Sequence, residues 1–224
     1  IRRQRQMCIR DRYCRNAFSV PRPFELEESN MVDALLDRRE LLPNLIPDHT
    51  EYLIVSGLAG ASRDAAALTS ESDNLFTMGG AMGAAVSIGL GMALCAPDRK
   101  ILVITGDGEL MMNVGSLATV ASAAPQNLSI ICIDNGQHGE TGGQEGHTAN
   151  RTDLEMMARG AGLPAALTVS RPEELEAAAV FLRESPAPRF LWARVLPGPP
   201  ASWKRDWNLA DCRTRFRAAL LGRG

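Results

Sequence analysis

Two short polar strings hold the residues best suited to chemistry. Gly106-Asp107-Gly108-Glu109 follows the apolar run Lys100–Thr105, and Asp134-Asn135-Gly136-Gln137 follows the apolar run Leu128–Ile133. Asp107 and Asn135 stand 28 positions apart, with helical and strand-like sequence between them. That interval is one strand–helix–strand step, so two consecutive parallel strands deliver a carboxylate and a carboxamide to the same sheet edge. Both are hard oxygen ligands, suited to an octahedral Mg²⁺ that also holds phosphate oxygens. Gly106 and Gly108 allow close backbone approach and leave N–H groups free where a helix starts, a place that favours phosphate. Just downstream, His138 and His147 flank the stretch from Glu140 to Gln144. His138 and Glu140 are candidates for substrate binding or proton transfer, and a solvated loop with two surface histidines is the equal alternative. Zinc binding by His138, Glu140 and His147 is disfavoured, because Cys ligands and a fixed His spacing are missing.

The elements that must position these residues are legible as alternating runs. Tyr52–Ser56, Lys100–Thr105, Leu128–Ile133, Ala166–Val169 and Phe190–Val195 read as buried strands. Leu35–Leu45, Ala81–Cys95, Leu110–Ala124, Leu154–Gly160 and Pro172–Glu184 read as helices, the last with Pro in its first turn. The loop from Asn135 to Asn150 is Gly-rich. Continuous apolar strands alternating with helices predict an α/β fold, a parallel sheet with helices on both faces. Ligands bind such sheets beyond the carboxyl ends of the strands, which is where both polar strings fall. Gly89-Leu90-Gly91 lies inside a helix and lacks the third glycine of a dinucleotide fingerprint. No GxxxxGK[ST] string is present, which excludes a P-loop kinase.

Composition narrows the class. Among 224 residues, 24 Lys and Arg nearly balance 26 Asp and Glu, which argues against a nucleic-acid partner. The longest bilayer candidate, 81–96, is short and studded with Gly, so no membrane association is expected. Five cysteines (8, 14, 95, 132 and 212) form no CxxC pair, and Cys95 and Cys132 sit in apolar runs as reduced residues would. A cytoplasmic location is the expectation. Residues 1–12 are Arg-rich without a helical or strand period and read as a non-native or disordered extension. They are followed by an N-terminal segment (13–34), a binding domain (35–196) and a tail with a helix (197–224). Pro197 to Pro200 stops regular structure, and Trp203 and Trp207 beyond it are expected to be covered.

With the residues laid out, the pattern resembles the diphosphate-binding motif of thiamine diphosphate enzymes: GDG, about 25 residues, then a pair ending in Asn. Here 25 residues separate Gly108 from Asp134, and the pair is Asp134-Asn135 where the family usually has Asn-Asn. The resemblance implies Asp107, Asn135 and the backbone carbonyl of Gln137 as Mg²⁺ ligands. Backbone groups of Gly106, Gly108 and Glu109 would meet the diphosphate. Gly79 to Gly83 resembles the family segment whose apolar side chain bends thiamine into its V shape. That implies Gly80, Ala81 and Met82 as cofactor-binding residues, with Met82 as the prop. The details GDGELMMNVGSLAT and DNG-x-H-x-x-T-G-G-Q resemble the phosphonopyruvate and sulfopyruvate decarboxylase group. A decarboxylase acting on a small 2-oxo acid is therefore implied, and Arg151 or Arg159 are candidates to meet its sulfonate or phosphonate. The family's activating glutamate lies on a pyrimidine-binding domain that is not recognisable in this sequence. A partner subunit or domain carrying it, and so a hetero-oligomer, is expected. A carboligase of the acetolactate synthase type and a non-catalytic structural subunit are the alternatives.

Overall fold

The computed structural model describes residues 36–222; the expectations for 1–12 and 13–34 lie outside them. In chain order the elements are α1 (Arg38–Leu45), β1 (Tyr52–Ser56), α2 (Ala59–Thr69), β2 (Leu75–Thr77), α3 (Ala85–Cys95) and β3 (Lys100–Gly106). Then come α4 (Asp107–Met112), α5 (Ser116–Ala123), β4 (Leu128–Asp134), β5 (Gln137–His138), β6 (Gln144–Glu145) and α6 (Leu154–Gly160). The chain continues through β7 (Ala165–Val169), α7 (Leu175–Glu184), β8 (Arg189–Arg194) and α8 (Leu209–Leu220).

Six strands form one parallel sheet in the order β2-β1-β3-β4-β8-β7. Helices cover both faces, because strand residues alternate between two cores. Leu53, Val55, Ile101, Val103, Ile130 and Phe190 point to the face packed by α3, α5, α6 and α8. Ile54, Leu102, Ile104, Ile131 and Leu191 point to the face packed by α1, α2 and α7. Burial on both faces is why these strands read as unbroken apolar runs. From β1 the chain steps outward through α2 to β2, then returns across β1 through α3 to β3. The order of the sheet therefore reverses between β1 and β3, which opens a crevice at their carboxyl ends.

Two helix expectations need correction, and one helix has no counterpart in the sequence reading. The helix expected over 81–95 begins only at Ala85, because Ala81 (φ 59°) and Gly83 (φ 89°) are left-handed and make a turn. The helix expected over 110–124 is two helices broken around Asn113–Gly115, and the first starts early, at Asp107. The helix α2 was not read at all. Its inward residues are Ala61, Ala65 and Ala66, and a face of small residues leaves no bulky apolar period to detect. Strand β2, three residues long, was also missed.

The tail folds back over the sheet. Phe216 of α8 packs on Phe76 of β2 at 5.6 Å between ring centroids. Trp203 is partly buried against the α1–α2 face, but Trp207 is 66% exposed, which corrects the expectation that both indoles are covered. Trp207 instead lies under the Arg205 guanidinium, 4.4 Å from the ring centroid. No helix among the described residues is long and apolar enough to cross a membrane.

Candidate functional site

Strand β3 ends at Gly106, and α4 starts at the next residue, so Asp107 sits on the first turn of a helix at the sheet edge. Its neighbour in the sheet, β4, pairs Ile133 with Gly106 and ends at Asp134. This register brings the two polar strings together, as the sequence predicted. Asp107 is buried, and its carboxyl is pushed up to about 6, first by burial and then by the Asp134 carboxylate beside it. Thr148 spans the two: its hydroxyl lies 2.8 Å from Asp134 Oδ1 and 3.4 Å from Asp107 Oδ2.

Asp134 is held from both sides. Its Oδ2 accepts from the indole N–H of Trp192 at 2.7 Å, and its Oδ1 accepts from the backbone N–H of Gly136 at 2.7 Å as well as from Thr148. This explains an acid where the resemblance expects Asn: donors converge on both oxygens, and an Asn would turn its NH₂ toward one of them. Trp192 reaches Asp134 because β8 lies beside β4 in the sheet, with Cys132 opposite Trp192. Asn135 is half-buried, and its Oδ1 accepts from the Gln137 backbone N–H at 3.2 Å, which closes a tight turn through Gly136 (φ 65°). Gln137 then enters the two-stranded hairpin β5–β6, opposite Glu145.

The return strand of that loop presses on Asp107. A Cβ on Gly146 would lie 3.0 Å from Asp107 Oδ2 and 3.2 Å from the Gly136 carbonyl. His138, half-buried, comes so close to α4 that a Cβ on Gly108 would lie 2.8 Å from its Nδ1. The structure thus brings His138 to the Asp107–Gly108 turn. Glu140 goes elsewhere: it is exposed and faces Arg63 of α2 at 3.8 Å. Arg159 is bonded to Glu155 and to the Ala166 carbonyl, and so is committed within its own helix and the adjoining strand.

Glu109, expected as a backbone contact, also has a structural side-chain role. Its side chain is buried and reaches across the crevice, where Oε2 accepts from the Leu58 N–H at 2.9 Å and from the Thr105 hydroxyl at 3.2 Å. Gly57 has no room for a side chain, since a Cβ there would lie 1.7 Å from the same carboxylate. Burial pushes the Glu109 carboxyl up despite these donors. The side chain ties the end of β1 to the start of α4 across the point where the sheet order reverses. Gly80, Ala81 and Met82 are exposed on the turn before α3, with Met82 45% exposed. Sequence reading missed Gly57, Gly146, Thr148 and Trp192. Only the Gly-rich character of the 135–150 loop hinted at one of them.

The donor set at this edge is all oxygen: the Asp107 carboxylate, the Asn135 amide oxygen and the Gln137 carbonyl. A buried carboxylate with a like charge beside it gains from a divalent cation, so these residues fit Mg²⁺.

Residues 60–191 match the family model described as "Thiamine pyrophosphate enzyme, C-terminal TPP binding domain". The chain is 43% identical over 121 residues to the sulfopyruvate decarboxylase subunit beta of Methanocaldococcus jannaschii, covering 54% of this chain and 63% of that protein. It is 35% identical over 208 residues to a phosphonopyruvate decarboxylase of Streptomyces viridochromogenes, covering 92% of this chain and 49% of that protein. Among solved structures, a thiamine diphosphate-dependent 4-hydroxybenzoylformate decarboxylase of Rhodococcus jostii matches with a TM-score of 0.59. That match has 20% identity and covers 78% of this chain and 35% of the other, and it shows the shared fold. The chain therefore spans about half to two thirds of the length of these curated relatives.

Proposed function

The chain belongs to the thiamine pyrophosphate enzymes and carries their C-terminal TPP binding domain, and we propose that it is the diphosphate- and Mg²⁺-holding half of a 2-oxo acid decarboxylase. The substrate is of the sulfopyruvate or phosphonopyruvate kind, by similarity to the relatives of those names. The observation that carries the reading is Asp107: a buried acid at the first turn of α4, with its carboxyl raised by Asp134, beside the carboxyl-end crevice between β1 and β3. Asp107, Asn135 and the Gln137 carbonyl hold Mg²⁺. The N–H groups of Gly106, Gly108 and Glu109 meet the diphosphate at the start of α4. Met82 packs under the cofactor as its prop, with Gly80 and Ala81 alongside. The cofactor, when bound, supplies an electron sink for the carbanion that loss of CO₂ leaves. His138, which lies against Gly108, serves in this reading to orient the substrate or transfer a proton.

A partner completes the site in this reading. Met82 and Met112 (64% exposed) flank Gly83. These side chains leave apolar surface open beside the cofactor prop, as a covering domain requires. That domain is the pyrimidine-binding one, carrying the activating glutamate, on a separate subunit or elsewhere in a longer chain.

Calorimetry with Mg²⁺ and thiamine diphosphate tests the reading, on the chain alone and co-expressed with a pyrimidine-binding subunit. Asp107→Ala is expected to weaken Mg²⁺-dependent binding by at least about 100-fold, and unchanged affinity refutes the metal assignment. Release of CO₂ and an aldehyde from a 2-oxo acid by the assembled pair is expected. Acetolactate from pyruvate would make it a carboligase instead.

A further inference from the structure

A cleft of about 470 Å³ opens beside the crevice already described. Leu58 and Ala59 at the end of β1, Met82 and the tail segment from Trp203 to Trp207 are among its lining. Leu58 is the residue whose N–H binds Glu109, so the cleft adjoins the start of α4. Ala59 is held left-handed at φ 58°, an unusual conformation for a residue with a side chain.

The cleft is cationic. Arg63, Lys204 and Arg205 line it, and Glu140 is the one acid among its lining residues. Arg205 is only 8% exposed. Its guanidinium donates to the Ser62 hydroxyl at 2.7 Å and to the Met78 carbonyl at 3.2 Å, both neutral, and among the described residues its Nε is buried without a partner. A buried cation hydrogen-bonded only to neutral groups is costly; the Glu71 carboxylate offsets part of that cost, and a further anion nearby lowers it more. Arg63 and Lys204 are exposed. Glu140 meets Arg63 at a loose 3.8 Å with both side chains near half-exposed, a contact worth little in water. A more strongly charged group can replace it there.

We propose that this cleft takes the second acid group of a multiply charged 2-oxo acid, with Arg63 and Lys204 as its direct contacts. Arg205, stacked on Trp207, is the fixed charge behind them, and Glu140 holds the place when no substrate is bound. This rests on the decarboxylase reading above, because Met82 joins the cleft to the cofactor site. It assigns the selection of the distal group to the tail and α2, away from the residues that hold the diphosphate.

The test titrates phosphonoacetate and sulfoacetate, with malonate and acetate for comparison, into the chain at constant ionic strength set with NaCl. Tryptophan fluorescence reports binding, since Trp203 and Trp207 line the cleft. Titrations are run with and without saturating Mg²⁺ and thiamine diphosphate. Expected are saturable binding of phosphonoacetate and sulfoacetate at least about 10-fold tighter than acetate, and a loss of at least about 10-fold in Arg63→Gln/Lys204→Gln. Glu140→Gln is expected to tighten both by about 3-fold, and Arg63→Lys to fall between wild type and Arg63→Gln. Thiamine diphosphate affinity should be the same in all variants. Equal binding in the double variant, no saturable binding, or displacement of thiamine diphosphate by the probes overturns the proposal. Failure of thiamine diphosphate to bind even the wild type co-expressed with its pyrimidine-binding partner would instead sink the decarboxylase reading, while the titration without cofactor still reads the cleft.

Discussion

The two ends of the crevice are built on opposite principles. At the β3–β4 edge two carboxylates, Asp107 and Asp134, are buried side by side and locked by short-range turns and by Thr148 and Trp192. At the β1 edge the charges are positive, mostly exposed, and assembled from a helix and a tail more than 130 positions apart (Arg63 to Lys204). The first end is a rigid cradle with its charge unbalanced inside the protein. The second is adaptable, with its charge held in water and anchored at one point. A site that must hold one invariant diphosphate and accommodate a variable acid gains from that division: rigidity where the ligand is fixed, mobility where it is chosen.

The comparison breaks most visibly at the tail's anchor. Arg38 and Asp64 form a buried pair at 2.6 Å, and Asp64 Oδ1 also accepts from the Ala201 N–H where the tail crosses α2. Burial pushes the Asp64 carboxyl up, and Arg38 pulls it back. Asp64→Ala strands the guanidinium and should cost about 3–5 kcal/mol in urea unfolding; Arg38→Met with Asp64→Leu should recover most of it. A cost below about 1 kcal/mol would mean the anchor is ornamental. Next, Asp134→Ala leaves the Trp192, Gly136 and Thr148 donors without their acceptor and should cost about 3 kcal/mol. Asp134→Asn, which still turns NH₂ toward one donor, should cost about 1 kcal/mol by the same measurement. Equal losses in the two variants would show that acceptors on both sides are not what fixes the acid there. Smaller still, Gly108→Ala forces His138 aside and should cost about 1 kcal/mol while weakening thiamine diphosphate binding by calorimetry. Trp207→Ala should change stability by less than about 1 kcal/mol, since only its stacking on Arg205 is lost. If Trp207→Ala proves as damaging as Asp134→Ala, the supposed adaptability of the second end is wrong.

How much of this was legible follows from where the constraints lie along the chain. GDG and DNG declared themselves because each is a local turn on the end of an apolar strand, and one strand–helix–strand step fixes their interval. The parallel α/β sheet was legible for the same reason, since strands buried on both faces must be apolar throughout. Helix α2 escaped because its inward face is alanine, and β2 because three residues carry no period. The side-chain role of Glu109 was not legible: paired to Leu58 across 51 positions, it ties β1 to the start of α4, and nothing adjacent to Glu109 in sequence signals that partner.

The sequence alone determined the family pattern, the alternation of elements, and the delivery of the two polar strings to one sheet edge, all set by local turns and strand register. Tertiary structure alone decided that Asp134 is an acid because Trp192 of the neighbouring strand donates to it, and that Gly146 must be small because Asp107 presses on it. It alone also brought Arg63 and the tail's Lys204 and Arg205 into one cleft. Those contacts depend on which strands become neighbours and where the tail crosses the sheet. They join residues far apart in the chain, where no short-range period or spacing can encode the meeting.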